Sequence, residues 1–368
     1  MRVCFYAGNY AGGGTGRAVS IVGNELKRRT PHEIYALGHS RDGKEDVYHV
    51  DFPVTYLYSE KMSMTRAILK DHYLKKVTQY VKQNHIDVLV CCLELLYPIG
   101  LLVAKRCGIK LVTWLHTNPD IGNDYRFERE SRWLGARFSD CNVVLTKDAL
   151  ELYQHRFPGQ RNVQIYNPVD SALLNYTGAY DANSKRIISV GRLNYAKNYE
   201  RLLDIADRVK QRHPDWQWDI YGEGEDQQKL ERKIAEKQLG DFVHLCGQRR
   251  DIYSIYPQYA MMVMTSRYEG FPMTLLEAAS RSLPMVVFDI KTGPNEIIQN
   301  GVNGYLCSKD SDDEMVERIE ALISSAELRK ACARNSMETA KQFAIDRILP
   351  EWEKLLETFY VKLGVRKC

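Results

Sequence analysis

The sequence predicts an α/β protein built from two doubly wound domains, each a parallel sheet wrapped by helices. Three observations carry this. The chain has 368 residues, and an ordinary domain takes roughly 100–200. Short apolar runs alternate with helical-period segments along its whole length, the pattern of βαβ units. A polar stretch with Pro and Gly, residues 167–185, interrupts that alternation near the middle. The expected boundaries are 1–170 for the first domain, 171–185 for a linker and 186–345 for the second. Doubly wound sheets take ligands beyond the carboxyl ends of their strands, so two facing domains would enclose a cleft.

The first half offers strands at 3–7, 33–37, 88–92, 111–114, 143–146 and 163–166, with helices between them, such as 18–28 and 66–83. Each strand run is short and mostly apolar, as fully buried strands are. The second half offers strands at 187–190, 218–221, 242–245, 261–264 and 285–288. Its helix at 199–212 sets Leu202, Ile205, Ala206 and Val209 on one face. Val316, Ile319, Leu322 and Ile323 do the same for a helix at 313–324.

Composition removes several function classes. Lys plus Arg number 51 and Asp plus Glu 47, a net charge of +4 with no long basic run, which argues against a nucleic-acid binder. Apolar content of 44% and charged content of 27% suit a packed protein rather than a disordered one. The apolar run at the start stops at Gly8, too short for a secretory signal, and the run 88–104 is broken by Glu94, Pro98 and Gly100, so no membrane span is expected. Nine scattered cysteines, most of them in apolar runs and without a CxxC pair, read as largely buried free thiols of a reducing cytoplasm. Residues 1–170 hold 23 basic against 18 acidic side chains, whereas the remainder holds 28 against 29. That asymmetry fits an anionic partner for the first half, such as a phosphate group or a membrane face, though chance gives differences of this size too.

The first strand runs into Gly8-Asn9-Tyr10-Ala11-Gly12-Gly13-Gly14-Thr15-Gly16-Arg17 and then a helix. Neither the dinucleotide fingerprint nor the P-loop is met. A glycine-rich strand-to-helix switch still lets backbone N–H groups approach a phosphate, and Gly13 and Gly14 are the candidates. The second half repeats the arrangement with charge: strand 187–190 ends in Gly191-Arg192-Leu193-Asn194-Tyr195-Ala196-Lys197-Asn198. Arg192 and Lys197 stand where two cations can grip a diphosphate, although read alone they are two solvated charges. After strand 261–264 comes Glu269-Gly270-Phe271-Pro272-Met273-Thr274-Leu275-Leu276-Glu277-Ala278. Glu277 falls among apolar helix neighbours and needs a partner, which ribose hydroxyls would supply.

Gly-Arg-Leu with Lys-Asn beyond it, followed by Glu-Gly-Phe-Pro-x-x-x-x-Glu, resembles the retaining GT-B glycosyltransferases of family 4, the group 1 glycosyl transferases. The likeness extends over nearly the whole chain through LTKDALELY, IYNPVD, YGEGEDQQKLE, GPNEIIQNGVNGYL and the closing EWEKLLETF. It implies a GT-B fold, two Rossmann-like domains facing across a cleft, with residues 346–368 a helix crossing back to the first domain. It also implies roles. Arg192 and Lys197 would bind the diphosphate and stabilise the leaving group, and Glu269 would contact hydroxyls of the donor sugar. Backbone amides around Gly270, Phe271, Met273 and Thr274 would contact sugar and phosphate, and Glu277 would hold the ribose. His116, in Trp114-Leu115-His116-Thr117-Asn118, matches the histidine that faces the donor sugar, a position where a lone histidine is more often structural. Gln248, Arg249 and Arg250 are weak candidates for the nucleobase. Many relatives carry a glutamate where Gly16 precedes Arg17.

The implied donor is a nucleotide sugar, a UDP-hexose or UDP-N-acetylhexosamine. The implied acceptor is a hydroxyl of a lipid-linked glycan or polysaccharide at the cytoplasmic membrane face, and no nucleic acid is expected as a partner. Retention by front-face attack follows from the family, not from any carboxylate pair. No metal cofactor is expected: Asp310-Ser311-Asp312 matches DxD as text but stands where a helix N-terminus needs acids. A GT-B epimerase and a catalytically inactive GT-B subunit are the alternatives, and the presence of all four of Arg192, Lys197, Glu269 and Glu277 argues against decay. The segment 125–138 reads as an amphipathic helix with Phe127, Leu134 and Phe138 toward the core. Arg126, Arg129, Trp133 and Arg137 form its other stripe, suited to anionic lipid or a solvated face.

Overall fold

The computed structural model describes residues 1–10, 12–41, 48–120, 127–176, 178 and 180–362. It divides into two units, Met1–Pro168 with Ile345–Cys368, and Val169–Ala344.

The first unit alternates strands and helices: β1 (Arg2–Ala7), α1 (Gly13–Arg29), β2 (Glu33–Ser40), β3 (Val54–Tyr58), α2 (Met64–Lys70), α3 (Tyr73–Gln83), β4 (Val88–Cys91), α4 (Tyr97–Cys107), β5 (Lys110–Trp114), α5 (Glu128–Phe138), β6 (Cys141–Val144), α6 (Lys147–Arg156) and β7 (Asn162–Gln164). All seven strands are parallel, in the order β3-β2-β1-β4-β5-β6-β7. The order reverses between β1 and β4, which is where such sheets bind ligands.

The second unit contains α7 (Ser171–Leu174), β8 (Arg186–Val190), α8 (Tyr199–Arg212), β9 (Gln217–Tyr221), α9 (Gln227–Glu236), β10 (Val243–Leu245), β11 (Met261–Met264), α10 (Met273–Ala279), β12 (Met285–Asp289), α11 (Pro294–Ile297), β13 (Gly304–Ser308), α12 (Asp312–Ser324) and α13 (Ala326–Gln342). Its parallel sheet runs β10-β9-β8-β11-β12-β13, the same winding with its reversal between β8 and β11. The three central strands are cross-tied: Trp218 Nε1 donates to Ser189 Oγ at 3.0 Å, and that hydroxyl donates to Val263 O at 2.7 Å.

The last helix, α14 (Ile345–Lys362), belongs to the first unit. Its Trp352 is fully buried, with its ring 4.6 Å from Trp114 and 6.2 Å from Phe5. Asp346 pairs with Arg29, and Tyr360 lies against the His32 ring at 5.5 Å.

Three features depart from the sequence reading. The expected single helix at 66–83 is two, because His72 takes a left-handed φ of 48° that an α-helix cannot continue. Strands β3 and β13, unanticipated, are edge strands whose half-covered side chains weaken the apolar signal. The stretch expected as a linker, 171–185, packs on the second unit: Arg281 donates to Leu173 O, Tyr180 Oη to Ala260 O at 2.5 Å, and Arg329 Nη2 to Ala182 O at 2.6 Å.

Burial also makes the first unit acid-sensitive. His32 is buried and its pKa is pushed down from 6.5 to about 4 by loss of solvent, with the N-terminal charge adding to it. The unfolded chain therefore takes up a proton that the folded one refuses. Stability present above pH 6.5 is expected to fall by ~1.4 kcal/mol per pH unit toward pH 4 for such a ring. Urea titrations across that range check this: His32→Asn should flatten the slope, and an unchanged slope would contradict it.

Candidate active site

Two loops of the second unit meet where the strand order reverses. One leaves β8 and enters α8. Its backbone is held from the side by the exit of β9, where Gly191 N donates to Tyr221 O and Leu193 N to Glu223 O, both at 3.0 Å. The approach is so close that a Cβ on Gly222, at φ 146°, would lie 1.9 Å from Gly191 O. Only glycine fits there. Asn194 Oδ1 accepts from Lys197 N at 3.3 Å and closes a 3-10 turn, after which Asn198 at φ 56° turns the chain into α8.

The second loop leaves β11. Thr265 Oγ1 donates to Lys197 O and Asn198 O, each at 3.3 Å, and Arg267 N donates to Ala196 O at 2.8 Å, so the two loops form one body. Within it Lys197 Nζ lies 2.5 Å from Glu269 Oε1, and Ser266 Oγ donates to the same oxygen at 2.6 Å. Both charged side chains are mostly covered, with 20% and 12% of their surface exposed. The Tyr199 hydroxyl beneath is buried, and burial together with the Glu269 charge raises its pKa. Thr292 Oγ1 donates to Gly270 O at 3.1 Å. Gly293, at φ 101°, leaves room for Pro272, whose Cδ a Cβ would meet at 2.8 Å. Phe271 is buried against the Phe343 ring at 5.5 Å.

The remaining sequence-derived positions fall as follows. Arg192 does not share the Lys197 pair; it is exposed and lies 3.2 Å from Glu225. Glu277 is 8% exposed and accepts a hydrogen bond from Tyr253 Oη at 2.9 Å, the partner its apolar surroundings demand. Met273 is buried, and the covered Thr274 Oγ1 has no partner among the described residues. Gln248, Arg249 and Arg250 are exposed beyond β10. Ser266, Thr292 and Tyr253 were missed by sequence reasoning. A lone hydroxyl gives no periodicity or charge signal, and only their contacts reveal them.

In the first unit Gly12 precedes α1, Gly13 takes φ 80° and Gly14 is exposed. His116 follows β5 with its ring 4.4 Å from Trp114. Part of the residue is exposed, yet both ring nitrogens are covered and without a partner among the described residues. Burial lowers its pKa to about 3, so the ring is neutral in ordinary buffers and offers one donor and one acceptor.

Helix α5 corrects one expectation. Phe127 and Phe138 are exposed and Leu134 is only half-buried, while Glu128, Ser131, Arg132, Gly135 and Ala136 form the buried face. The packing uses small residues, with Gly135 against the Tyr97 ring, and a buried ion pair that hydrophobic periodicity does not count. Arg129, Trp133 and Arg137 are exposed, and Arg126 lies outside the described residues. At the DxD-like text Ser311 caps α12, Asp312 pairs with Arg201 and Asp313 with Arg208, each at 2.5 Å. Among the described residues no group of three His, Cys, Asp or Glu could hold a metal ion, and no helix is long and apolar enough to cross a membrane.

The family model described as glycosyl transferases group 1 matches residues 178–339, and that of glycosyltransferase family 4 matches residues 12–173. The chain belongs to the group 1 glycosyltransferases. Its relatives include an uncharacterized glycosyltransferase of Haemophilus influenzae, 25% identical over 346 residues, covering 94% of this chain and 96% of the other. The amylovoran biosynthesis glycosyltransferase AmsD of Erwinia amylovora is 27% identical over 350 residues, with the same coverage of 94% and 96%. Among solved structures, Anabaena HepE in complex with UDP and glucose superposes with a TM-score of 0.81 at 19% identity, over 97% of this chain and 100% of that one. The fold of this glycosyltransferase is GT-B.

Proposed function

We propose that this glycosyltransferase moves a hexosyl or N-acetylhexosaminyl group from a UDP-sugar to a hydroxyl of a polysaccharide or lipid-linked glycan, with retention of configuration. The observation that carries the reading is the covered Lys197–Glu269 pair at the β8–β11 reversal, a cation and a carboxylate fixed together at the ligand-binding edge of the sheet. HepE, of the same fold, has been captured with UDP and glucose, and AmsD is named for the synthesis of a polysaccharide.

In this reading the bond between the anomeric carbon and the diphosphate oxygen breaks while the acceptor oxygen bonds to that carbon on the same face. The acceptor proton passes to the departing phosphate. Lys197 and the more exposed Arg192 stabilise the charge that develops there, in place of a metal ion. Glu269 and the backbone at Gly270, Phe271, Met273 and Thr274 hold the sugar and phosphate, and Glu277 holds the ribose. Gly13 and Gly14 offer backbone amides to the donor. His116, neutral, gives the sugar a hydrogen bond without adding charge. Gln248, Arg249 and Arg250 border the base. The reaction takes place at the cytoplasmic face of the membrane.

The test is release of UDP from a panel of labelled sugar nucleotides supplied with a lipid and glycan extract, with and without EDTA. Transfer that survives EDTA, with the anomeric configuration retained in the product by NMR, supports the reading. Absence of transfer from every donor would overturn it, and rescue by magnesium or manganese would overturn the metal-free part. Glu277→Ala is expected to weaken UDP binding by about 10–150-fold, the loss of a charged hydrogen bond. Unchanged affinity by calorimetry would contradict the ribose role.

A further inference from the structure

The segment that carries His116 is anchored by an internal ion cluster that the sequence does not announce. Three charged side chains lie almost wholly inside the first unit: Glu94 at 2% exposure, with Glu128 and Arg132 at 6% each. Glu94 sits in the 3-10 turn just after β4, and the other two stand one helical turn apart on the buried face of α5. Arg132 Nη2 meets Glu128 Oε1 at 3.0 Å and lies 3.9 Å from Glu94 Oε1. Its other amino group, Nη1, donates to Asn118 O at 3.1 Å and to Pro119 O at 2.9 Å. Thr117 Oγ1 donates to Glu94 Oε1. Asn118 is itself buried and accepts from Asp120 N at 2.9 Å, and Asp120 pairs with Arg156 on α6 at 2.6 Å.

The three residues that follow His116 are therefore each tied by backbone or side chain to this cluster, while Trp114 packs against the ring at 4.4 Å. A surface loop held only by water would not need it, because burying charges is costly and is sustained only where their hydrogen bonds are satisfied. A guanidinium that donates to two successive carbonyls fixes the path of the chain as well as its position, which a single point charge would not.

We propose that Arg132, with Glu94 and Thr117, is a positioning device for His116, setting the ring where it meets the donor sugar. This rests on the role given to His116 above. Arg132 touches no substrate; it acts through the loop.

The test is a double-mutant cycle in turnover between Arg132→Lys and His116→Ala, run on the full chain with UDP affinity measured by calorimetry. Arg132→Lys keeps the charge and loses the fork. It is expected to lower kcat by about a hundredfold, the effect of a misplaced reacting group, with UDP affinity within about twofold of wild type. In the His116→Ala background the same change should cost almost nothing. Thr117→Val leaves the ion pair intact, serves as the second variant if Arg132→Lys folds poorly, and should lower kcat by about 3–10-fold. Equal losses from Arg132→Lys, or from Thr117→Val, in both backgrounds would overturn the positioning role while leaving that of His116 intact. Full turnover in His116→Ala would overturn the role of His116 and the clamp with it.

Discussion

Lys197→Met and Glu269→Gln are each expected to cut turnover by about 10²–10³-fold, the ~2.7–4 kcal/mol that one preorganised charged or hydrogen-bonding group contributes at a transition state. The two side chains lie 2.5 Å apart and are mostly covered, so each single change also leaves its partner without a counter-charge. That separates chemistry from stability. Glu269→Gln keeps a hydrogen-bond acceptor for Ser266, which contacts that carboxylate at 2.6 Å. The double variant removes both charges together, so it should unfold at a higher temperature than Lys197→Met while remaining inactive. Steady-state kinetics and thermal melts measure both quantities. Near-normal turnover in both single variants would remove this pair from the leaving-group site.

Trp352→Ala is expected to destabilise the first unit by about 3–5 kcal/mol, the usual cost of truncating a large buried aromatic side chain. Trp352 has no exposed surface and packs on Trp114 and Phe5. Its indole Nε1 has no partner among the described residues. Trp352→Phe should therefore cost less, since it removes an unsatisfied donor along with the lost area. Because Trp114 also backs His116 at 4.4 Å, the Ala variant should lose turnover at temperatures where it remains folded. Denaturant titration followed by far-UV circular dichroism is the measurement, with the two units allowed separate transitions. A melt indistinguishable from wild type would contradict the packing role of α14.

Much of this architecture was legible because parallel sheets buried on both faces produce uninterrupted apolar runs. The run that became β8 stops at Gly191, and the one that became β11 gives way to Thr265 and Ser266, which marked both site loops. Charge type was legible too, since Lys197, Glu269 and Glu277 stood out against their neighbours. What was hidden was partnership. Nothing in one dimension says that Lys197 meets Glu269, or that Tyr253 reaches Glu277. Helix α5 failed for a related reason: periodicity counts Phe127 and Phe138 as core, whereas small residues and a buried ion pair line the packed face. The edge strands β3 and β13 were lost because a half-covered strand of mixed polarity looks like loop.

The placement of α14 has a consequence for synthesis. The second unit is one uninterrupted stretch, Val169–Ala344, whereas the first is completed only by Ile345 and the residues after it. A ribosome at roughly 5–20 residues per second emits the whole second unit before Trp352 can cover Trp114. The portion made first is thus finished last, and it waits with an open aromatic face while its neighbour already has every residue it needs to fold. A premature stop before residue 345 would spare the sheet of the second unit and leave that of the first without α14.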